Sequence, residues 1–379
     1  MTKKMKLLSF LEGKSHYEFP AVEQQSMLAR LGAAKDDIDR SYKQYLCQCI
    51  YMPWWIKVLN DLLAMFLTPI LIVFYSLKGL RCKQECSVDS IGEFKGMTEI
   101  IPQELKEKYD INIDYWFVGS RLSAKDISYI AKLVILHPFS PLFVFKNMMK
   151  IAKYSYMIYA HSPKALIVHN EYSFTSSLLT DYCHRHGVKH IDVMHGEKLA
   201  IIRDAYFHYD ECYVWDEYYA QLFISQEAEP TQFIVALPES MKVNVDKYRN
   251  DKVYADYKYY LGVADEDKLL KIAESMSFAL QQGKTVKYRL HPRYSNRNSV
   301  EKIVGKENIE FPNEVSILES IANCGCVVGS FTTVLNQAYN SGVDVMLDDV
   351  AEKEMFGVLK SFKYILADKG LPLLSSKQS

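Results

Sequence analysis

Two short polar motifs in the last third of the chain combine residue types that bind phosphate. One is Gly329, Ser330, Phe331, Thr332 and Thr333, which ends an apolar stretch and opens a helical one. Hydroxyls and the free N–H groups of a helix N-terminus favour an anion. The other is His291, Pro292 and Arg293, which also follows a strand-like stretch. An imidazole can donate a hydrogen bond or a proton, and a guanidinium can clamp phosphate. Although a Ser-x-Thr-Thr turn alone is a common helix cap, the two motifs together predict a site for a leaving phosphate.

Two further polar clusters, in the middle of the chain, could supply a general base. They are His169-Asn170-Glu171 and His195-Gly196-Glu197-Lys198, and each follows a short apolar stretch. A reaction in which a hydroxyl attacks needs a group that accepts its proton. We rank His195 and Glu197 first and Glu171 close behind. The alternative, that these side chains only satisfy loop backbone groups, stays open.

The elements that must position these motifs alternate regularly between strand and helix. Apolar stretches at 165–169, 190–194 and 211–215 alternate with stretches that have helical spacing, and the same alternation of strand and helix continues from 232 to 347. Such alternation predicts parallel sheets with helical crossovers. We expect an α/β protein with two Rossmann-like domains, residues 1–226 and 227–379, facing a central cleft. Ligands of parallel sheets bind beyond the carboxyl ends of the strands, and all four polar clusters follow such ends.

Composition excludes several classes of protein. The 379 residues carry a formal net charge of -1, which argues against a dedicated nucleic-acid binder. The eight cysteines lack the paired spacing of a zinc site, and residues 1–16 lack the apolar core of a signal peptide. We expect reduced thiols in a cytoplasmic protein. Asp348-Asp349 lacks the D-x-D spacing of a diphosphate-bound metal, so we predict neither a metal nor a cofactor.

An apolar segment at 62–77 stands apart from this alternation. It contains no charged residue, includes Pro69, follows Trp54 and Trp55, and precedes Lys78, Arg81 and Lys83. At about 16 residues it is short for a membrane span, which needs about 20. Three interpretations stay open: a buried core helix, a monotopic or re-entrant membrane element, and a true span. Membrane contact would be peripheral, on the inner face of the cytoplasmic membrane, where the basic residues suit anionic lipids.

The phosphate motifs carry a family resemblance. L-H-P-R at a strand end, followed about forty residues later by G-S-F-T-T, resembles the HP and S/T motifs of bacterial sialyltransferases and polysialyltransferases. The motifs are similar also to those of capsular Kdo transferases and, more distantly, of teichoic-acid glycerophosphotransferases. The resemblance covers about the last 150 residues. It implies the two-domain GT-B fold and a CMP-activated donor, with His291, Ser330, Thr332 and Thr333 binding the CMP phosphate.

The chain departs from the sialyltransferase pattern on the acceptor side. It contains no D-D-G or D-E-G motif, which in that family carries the acidic base. His195-Gly196 instead resembles the H-G motif of the glycerophosphotransferases, where the histidine is the base. We therefore predict an inverting, metal-independent transferase that moves an acidic sugar from a CMP-linked nucleotide sugar to a glycan or glycolipid acceptor, in capsule or lipooligosaccharide synthesis. The alternatives are a polyol-phosphate transferase that uses a CDP-alditol and a non-catalytic GT-B scaffold.

Overall fold

The protein forms two α/β units. A computed structural model describes residues 16–94, 97–113 and 119–377. The first unit comprises the chain up to His195 together with Ala200–Ala236, and the second comprises Gly196–Leu199 and the chain from Leu237 onward. Each unit has its own parallel sheet, so the prediction of two α/β domains is confirmed.

The first unit is built on a parallel sheet whose strands, within the described residues, are β1 (Ser90–Gly92), β2 (Ile111–Asn112), β3 (Ala165–Val168), β4 (Lys189–Val193), β5 (Glu211–Val214) and β6 (Phe233–Val235). Their order is β2-β1-β3-β4-β5-β6, and every pair is parallel. All four residues of β3 are buried, as expected of a strand covered by helices on both faces.

Helices surround this sheet: α1 (Ala21–Leu31), α2 (Asp37–Cys49), α3 (Trp54–Arg81), α4 (Gln103–Lys108), α5 (Ala124–Leu136), α6 (Pro141–His161), α7 (Ser176–His184) and α8 (Glu217–Ile224). Ser123-Ala-Lys-Asp126 has the spacing of a capping box, and the box is present, because Ser123 and Asp126 exchange side-chain and backbone hydrogen bonds. Helix α5 ends at Leu136 and α6 begins at Pro141, so the chain between them contains Pro138.

Helix α3 contains the apolar segment 62–77 and extends it at both ends. By length and composition alone it could cross a membrane, and 17% of its most apolar 18-residue window is buried. Ala64 and Tyr75 are the helix residues in the core. The interpretation as a buried core helix is therefore wrong, because most of this helix faces outward rather than packing inside the unit.

The second unit has a five-stranded parallel sheet among the residues that the structure describes. Its strands are β7 (Ala255–Tyr260), β8 (Val286–Arg289), β9 (Ile309–Glu310), β10 (Cys324–Gly329) and β11 (Asp344–Leu347), in the order β11-β10-β7-β8-β9. Its helices are α9 (Glu266–Ser275), α10 (Ser277–Gln281), α11 (Arg297–Val304), α12 (Ile317–Ala322), α13 (Thr333–Asn340), α14 (Lys353–Ser361) and α15 (Ile365–Asp368). Strand β7 lies at its centre.

Two boundaries differ from the sequence prediction. The polar stretch 227–230, where the predicted second domain begins, lies within the first unit, because β6 follows it and pairs with β5. Residues 265–282 have the pattern of one amphipathic helix, but the structure divides them at Met276 into α9 and α10. Asp265 caps the first of them by accepting the N–H of Lys268, as its position before the helix suggests.

Candidate active site

The first candidate cluster lies at the carboxyl ends of β3 and β4. These strands pair in parallel, with Val168 opposite Asp192. His169 follows β3 directly, and His195 follows the end of β4 by two residues. Because the carboxyl ends of parallel neighbours meet at one edge of the sheet, the loops that carry Glu171 and His195 lie side by side.

Glu171 and His195 form a carboxylate–imidazole pair. Glu171 Oε1 lies 3.1 Å from His195 Nδ1, and their side chains are 1% and 25% exposed. A buried carboxylate beside one ring nitrogen holds the ring orientation and favours a proton on that nitrogen. The other nitrogen, Nε2, is then the atom that can accept a proton. The structure thus joins two residues that the sequence offered as separate candidates for the base.

The loop that carries Glu171 is fixed through its backbone. Asp192 Oδ1, on a fully buried side chain, accepts the N–H of Asn170 at 2.7 Å. Ser176 Oγ donates to the carbonyl of Asn170 at 2.8 Å, and Gln44 Nε2 donates to the carbonyl of Glu171 at 3.0 Å. These contacts come from three different elements, β4, α7 and α2. A carboxylate on so constrained a loop is preorganised for one orientation.

Aromatic rings surround the pair. The ring centroid of His169 lies 5.0 Å from that of His195, and Tyr172 contacts His195 edge to face at 5.7 Å. Burial lowers the pKa of His169, and repulsion from a charged His195 lowers it further. A lowered pKa keeps His169 uncharged at neutral pH. Sequence reasoning missed Tyr172 and Gln44, since nothing in their local sequence distinguishes them.

Glu197, the third candidate, does not join this pair. It belongs to the second unit, where its carboxylate accepts a hydrogen bond from Asn336 of α13. A carboxylate that accepts a side-chain N–H in its own unit is fixed in place by it. We therefore assign Glu197 to the second unit and Glu171 to His195.

The second candidate cluster lies at the carboxyl ends of β8 and β10, in the second unit. Both strands pair with β7, one on each side, so their ends are about 10 Å apart, twice the spacing of neighbouring strands. His291 lies two residues after β8, and the Gly329–Thr333 turn runs from the last residue of β10 into α13. The structure therefore brings the two predicted phosphate motifs to one edge of one sheet.

Hydrogen bonding defines the tautomer of His291. Its Nδ1 accepts the backbone N–H of Arg293 at 3.1 Å, and the backbone N–H of His291 donates to Ser295 Oγ at 2.8 Å. An imidazole that accepts at Nδ1 carries its proton on Nε2 when neutral. His291 Nε2–H is therefore a donor suited to a phosphate oxygen. Pro292 and Arg293 are exposed beside it.

The Gly329–Thr333 turn caps α13. The hydroxyl of Thr332 accepts the N–H of Val334 at 3.4 Å, and Thr333 is the first residue of the helix and is exposed. Phe331 is 41% exposed and contacts Tyr364 edge to face. The predicted helix N-terminus is confirmed, with the Thr332 oxygen as the acceptor in its cap.

An acidic side chain that the sequence did not reveal contacts this turn. Ser330 Oγ donates to Glu352 Oε2 at 2.6 Å, and Glu352 Oε1 pairs with Lys268 Nζ at 2.5 Å. Glu352 lies about twenty residues along the chain, just before α14. Its negative charge opposes an anion at the turn, while Lys268 compensates for it.

The described residues contain no group of three or more His, Cys, Asp or Glu side chains that could hold a metal ion. Asp348, the first residue of the Asp-Asp pair, is fully buried. It accepts the N–H groups of Val350 and Ala351 and the hydroxyl of Tyr259. Asp348 therefore caps the loop that follows β11.

Comparison with known proteins gives similarities of fold. No protein-family model matches the chain, and no curated protein matches it. UDP-N-acetylglucosamine 2-epimerase from Rickettsia bellii has 11% identity and a TM-score of 0.39, over 78% of this chain and 93% of that chain. The wall teichoic acid polymerase TagF has 10% identity and a TM-score of 0.39, over 83% and 85%. The glycotransferase of kitacinnamycin has 9% identity and a TM-score of 0.44, over 76% and 86%. These values are too low to carry a functional conclusion.

Proposed function

We propose that the protein is an inverting, metal-independent glycosyltransferase that moves an acidic sugar from a CMP-activated donor to a glycan acceptor. The observation that carries the proposal is the contact between Glu171 and His195, at the carboxyl edge of a parallel sheet. A positioned base suits direct displacement by an acceptor hydroxyl. In this reaction the pair acts on the acceptor, and the phosphate motifs act on the donor.

Activation of the acceptor is the task of the first unit in this mechanism. His195 Nε2 takes the proton from the acceptor hydroxyl as its oxygen forms a bond to the anomeric carbon. The Glu171 carboxylate beside Nδ1 stabilises the imidazolium that results. Because the attack comes from the face opposite the leaving group, the anomeric configuration is inverted.

Departure of the nucleotide is the task of the second unit. The bond between the anomeric carbon and the phosphate oxygen breaks, and its electron pair stays on CMP. The added negative charge would be stabilised by five groups: His291 Nε2–H, Arg293, the Ser330 and Thr333 hydroxyls and the N-terminus of α13. Preorganised donors of this kind usually supply the largest part of the stabilisation.

A product assay tests the proposal. Purified protein is incubated with CMP-N-acetylneuraminic acid and a panel of glycan acceptors, alongside the His195→Ala variant. We expect an acceptor whose mass increases by one sugar, an equal amount of CMP, and inverted configuration by NMR. A folded protein that binds no cytidine nucleotide would contradict the proposal and leave a non-catalytic scaffold.

The sequence motif after β4 favours a second candidate function. A histidine base followed by glycine, His195-Gly196, resembles the glycerophosphotransferase motif rather than the acidic motif of sialyltransferases. A polyol-phosphate transferase that uses a CDP-alditol would also release CMP, so nucleotide binding alone does not separate the two. Incubation with CDP-glycerol in the same assay does, because that reaction forms a phosphodiester instead of a glycosidic bond.

We also propose that the protein works in the cytoplasm. All eight cysteines are free, among them the buried Cys47, Cys183, Cys212 and Cys324. Free cysteines in this number suit a reducing compartment. Alkylation of the native protein from cells under acid quench, followed by mass spectrometry, should find all eight as thiols; a disulfide would place the protein elsewhere.

A further inference from the structure

Helix α3 presents a broad apolar face that the first unit leaves uncovered. Phe66, Ile70, Val73 and Leu77 are 65%, 62%, 59% and 58% exposed. Its remaining exposed apolar residues continue this face toward both helix ends. At 100° per residue the exposed apolar positions span an arc of about 200° around the helix axis. One partner helix covers a stripe of about 100°, so this face is wider than a single helix partner would bury.

The opposite stripe of α3 holds the helix onto the unit. Asp61 Oδ1 accepts the N–H of Leu142, at the start of α6, at 2.9 Å. Further along, Tyr75 contacts the sulfur of Met149 in α6, and its carbonyl accepts the N–H of Leu122. The contacts at Asp61 and Tyr75 are about four turns apart. The helix is thus attached over about half of its length.

The tip of α5 extends the apolar surface. Ile135 and Phe139 are 78% and 92% exposed, the latter in the loop between α5 and α6. That loop lies near the first half of α3, because it leads directly to Leu142, which contacts Asp61. His137 anchors the loop by stacking on Tyr42 with ring centroids 3.9 Å apart. The exposed apolar residues at the tip of α5 are therefore close to α3.

The ends of α3 carry the residues that suit a lipid–water boundary. Trp54 is 77% exposed at the first residue of the helix. Lys78 and Arg81 are exposed in its last turn, and neither forms an ion pair with any residue that the structure describes. Tryptophan favours the interface between acyl chains and headgroups. Lysine and arginine favour anionic headgroups.

We propose that α3 and the tip of α5 form a membrane-docking surface that lies flat in one leaflet of an anionic phospholipid bilayer. A bilayer interior covers an arc of about 200° without needing a complementary groove. The helix does not span, since the contacts at Asp61 and Tyr75 tie it to α6 along its length. This surface is independent of the transferase chemistry, and it would keep the unit beside a membrane-bound acceptor.

Flotation tests the surface and its charge requirement. The full-length protein is mixed with vesicles of phosphatidylcholine alone or with phosphatidylglycerol, and we expect it to float with the anionic vesicles. Phe66→Asp with Ile70→Asp should abolish flotation. Lys78→Gln with Arg81→Gln should weaken binding roughly thirtyfold, from about 1 kcal/mol per charge. Val263→Asp with Leu280→Asp is the matched control, because these exposed apolar residues lie in the second unit.

Depth measurements separate a flat helix from a spanning one. A fluorophore on cysteine at position 58, 66 or 74, with Cys82 and Cys86 changed to serine, is quenched by lipids labelled at known depths. In a flat helix positions 58 and 74 are expected at equal depth, with position 66, about 80° from each around the helix axis, deeper than both. A spanning helix would separate positions 58 and 74 by about 24 Å along the bilayer normal and would overturn the proposal.

Two other outcomes would also overturn the proposal. One is wild-type protein that stays with neither vesicle. The other is lipid-free protein that sediments as a dimer and becomes a monomer on Phe66→Asp, without lipid binding in either form. The second result would assign the surface to another copy of the chain. Circular dichroism of each variant establishes that it is folded, so a failed flotation is not mistaken for unfolding.

Discussion

Glu171 and His195 leave neighbouring parallel strands and meet beyond them, with Glu171 Oε1 3.1 Å from His195 Nδ1. The carboxylate is almost fully buried, whereas the imidazole is partly exposed. This difference assigns their roles, since the exposed ring can reach a substrate and the buried acid can orient the ring. Glu171 is therefore a positioning residue, and His195 is the candidate catalytic residue.

Removing either member of this pair should reduce turnover without weakening donor binding. His195→Ala should lower kcat by about 10²- to 10⁴-fold, the usual contribution of a general base. Glu171→Gln should also lower kcat, and the double variant should be little worse than His195→Ala, because the two residues act as a unit. CMP release measures kcat, and calorimetry measures CMP affinity. Additive losses would contradict a shared role.

Loss of the Ser330 hydroxyl should weaken CMP binding. The Ser330 hydroxyl donates to Glu352 in the free protein and would have to turn to the phosphate when CMP binds. Ser330→Ala removes that donor, and a hydrogen bond to a charged ligand is worth about 1.5–3 kcal/mol, so the Kd should rise roughly 10- to 100-fold. Thr332→Ala should instead lower the free energy of unfolding by about 1 kcal/mol, because its hydroxyl caps α13. Calorimetry and denaturant unfolding measure the two effects. Ser316→Ala removes the comparable cap of α12 and should leave CMP affinity unchanged.

Neutralising Glu352 should strengthen CMP binding. Glu352 accepts from Ser330 and pairs with Lys268; Glu352→Gln removes a negative charge beside the turn and leaves Lys268 positive. A change of about 1 kcal/mol would tighten the Kd about fivefold. Glu354→Gln, two residues further along in the first turn of α14, is the charge-matched control. Weaker binding by Glu352→Gln would mean that this carboxylate accepts hydrogen bonds from the nucleotide itself.

Acid should destabilise the first unit through His190. Burial lowers its pKa to about 3, because the ring lies in the core between the hydroxyls of Tyr154 and Thr180. Below the unfolded pKa of about 6.5 the unfolded chain binds a proton that the folded chain excludes, so stability falls as pH drops from about 6.5 toward 3. Between pH 7 and 4.5 the loss is about 2–3 kcal/mol.

The matching control is His190→Asn, which cannot titrate. Its free energy of unfolding should be lower at pH 7, where a buried contact is lost, and should depend less on pH between 7 and 4.5. Urea unfolding at both pH values measures the difference. Equal pH slopes for the two proteins would show that His190 does not control this dependence.

The strand ends could be predicted from sequence because short apolar runs are followed directly by polar clusters. This pattern locates β3, β4, β5, β8 and β10 to within two residues, and with them the loops that carry the candidate site. Strand β7 was missed: Ala255–Tyr260 alternates tyrosine with charged residues, and its Lys258 is fully buried through a contact with Glu310 that lies far along the chain. Tertiary pairing, not local pattern, makes this segment a strand.

The identity of the base could not be read from the sequence. Glu197 is two residues from His195, whereas Glu171 is more than twenty residues away, so proximity along the chain favours Glu197, while the carboxylate in contact with His195 is that of Glu171. Because β3 and β4 pair in parallel, the loops that follow them lie side by side and bring Glu171 into contact with His195. Glu352 was missed for the same reason, because its contact with Ser330 depends on where the chain returns after β11.

The way α3 packs also has a consequence during synthesis. The helix is complete when Arg81 has been added, but its packing partner α6 ends only at His161. At about 5–20 residues per second, the intervening segment takes the ribosome roughly 4–16 s to make. Throughout that interval the whole circumference of the nascent helix is exposed, including the stripe that later contacts α6. The chain therefore emerges with its most apolar helix unprotected, and a chaperone or membrane surface near the ribosome meets that helix before the rest of its own domain does.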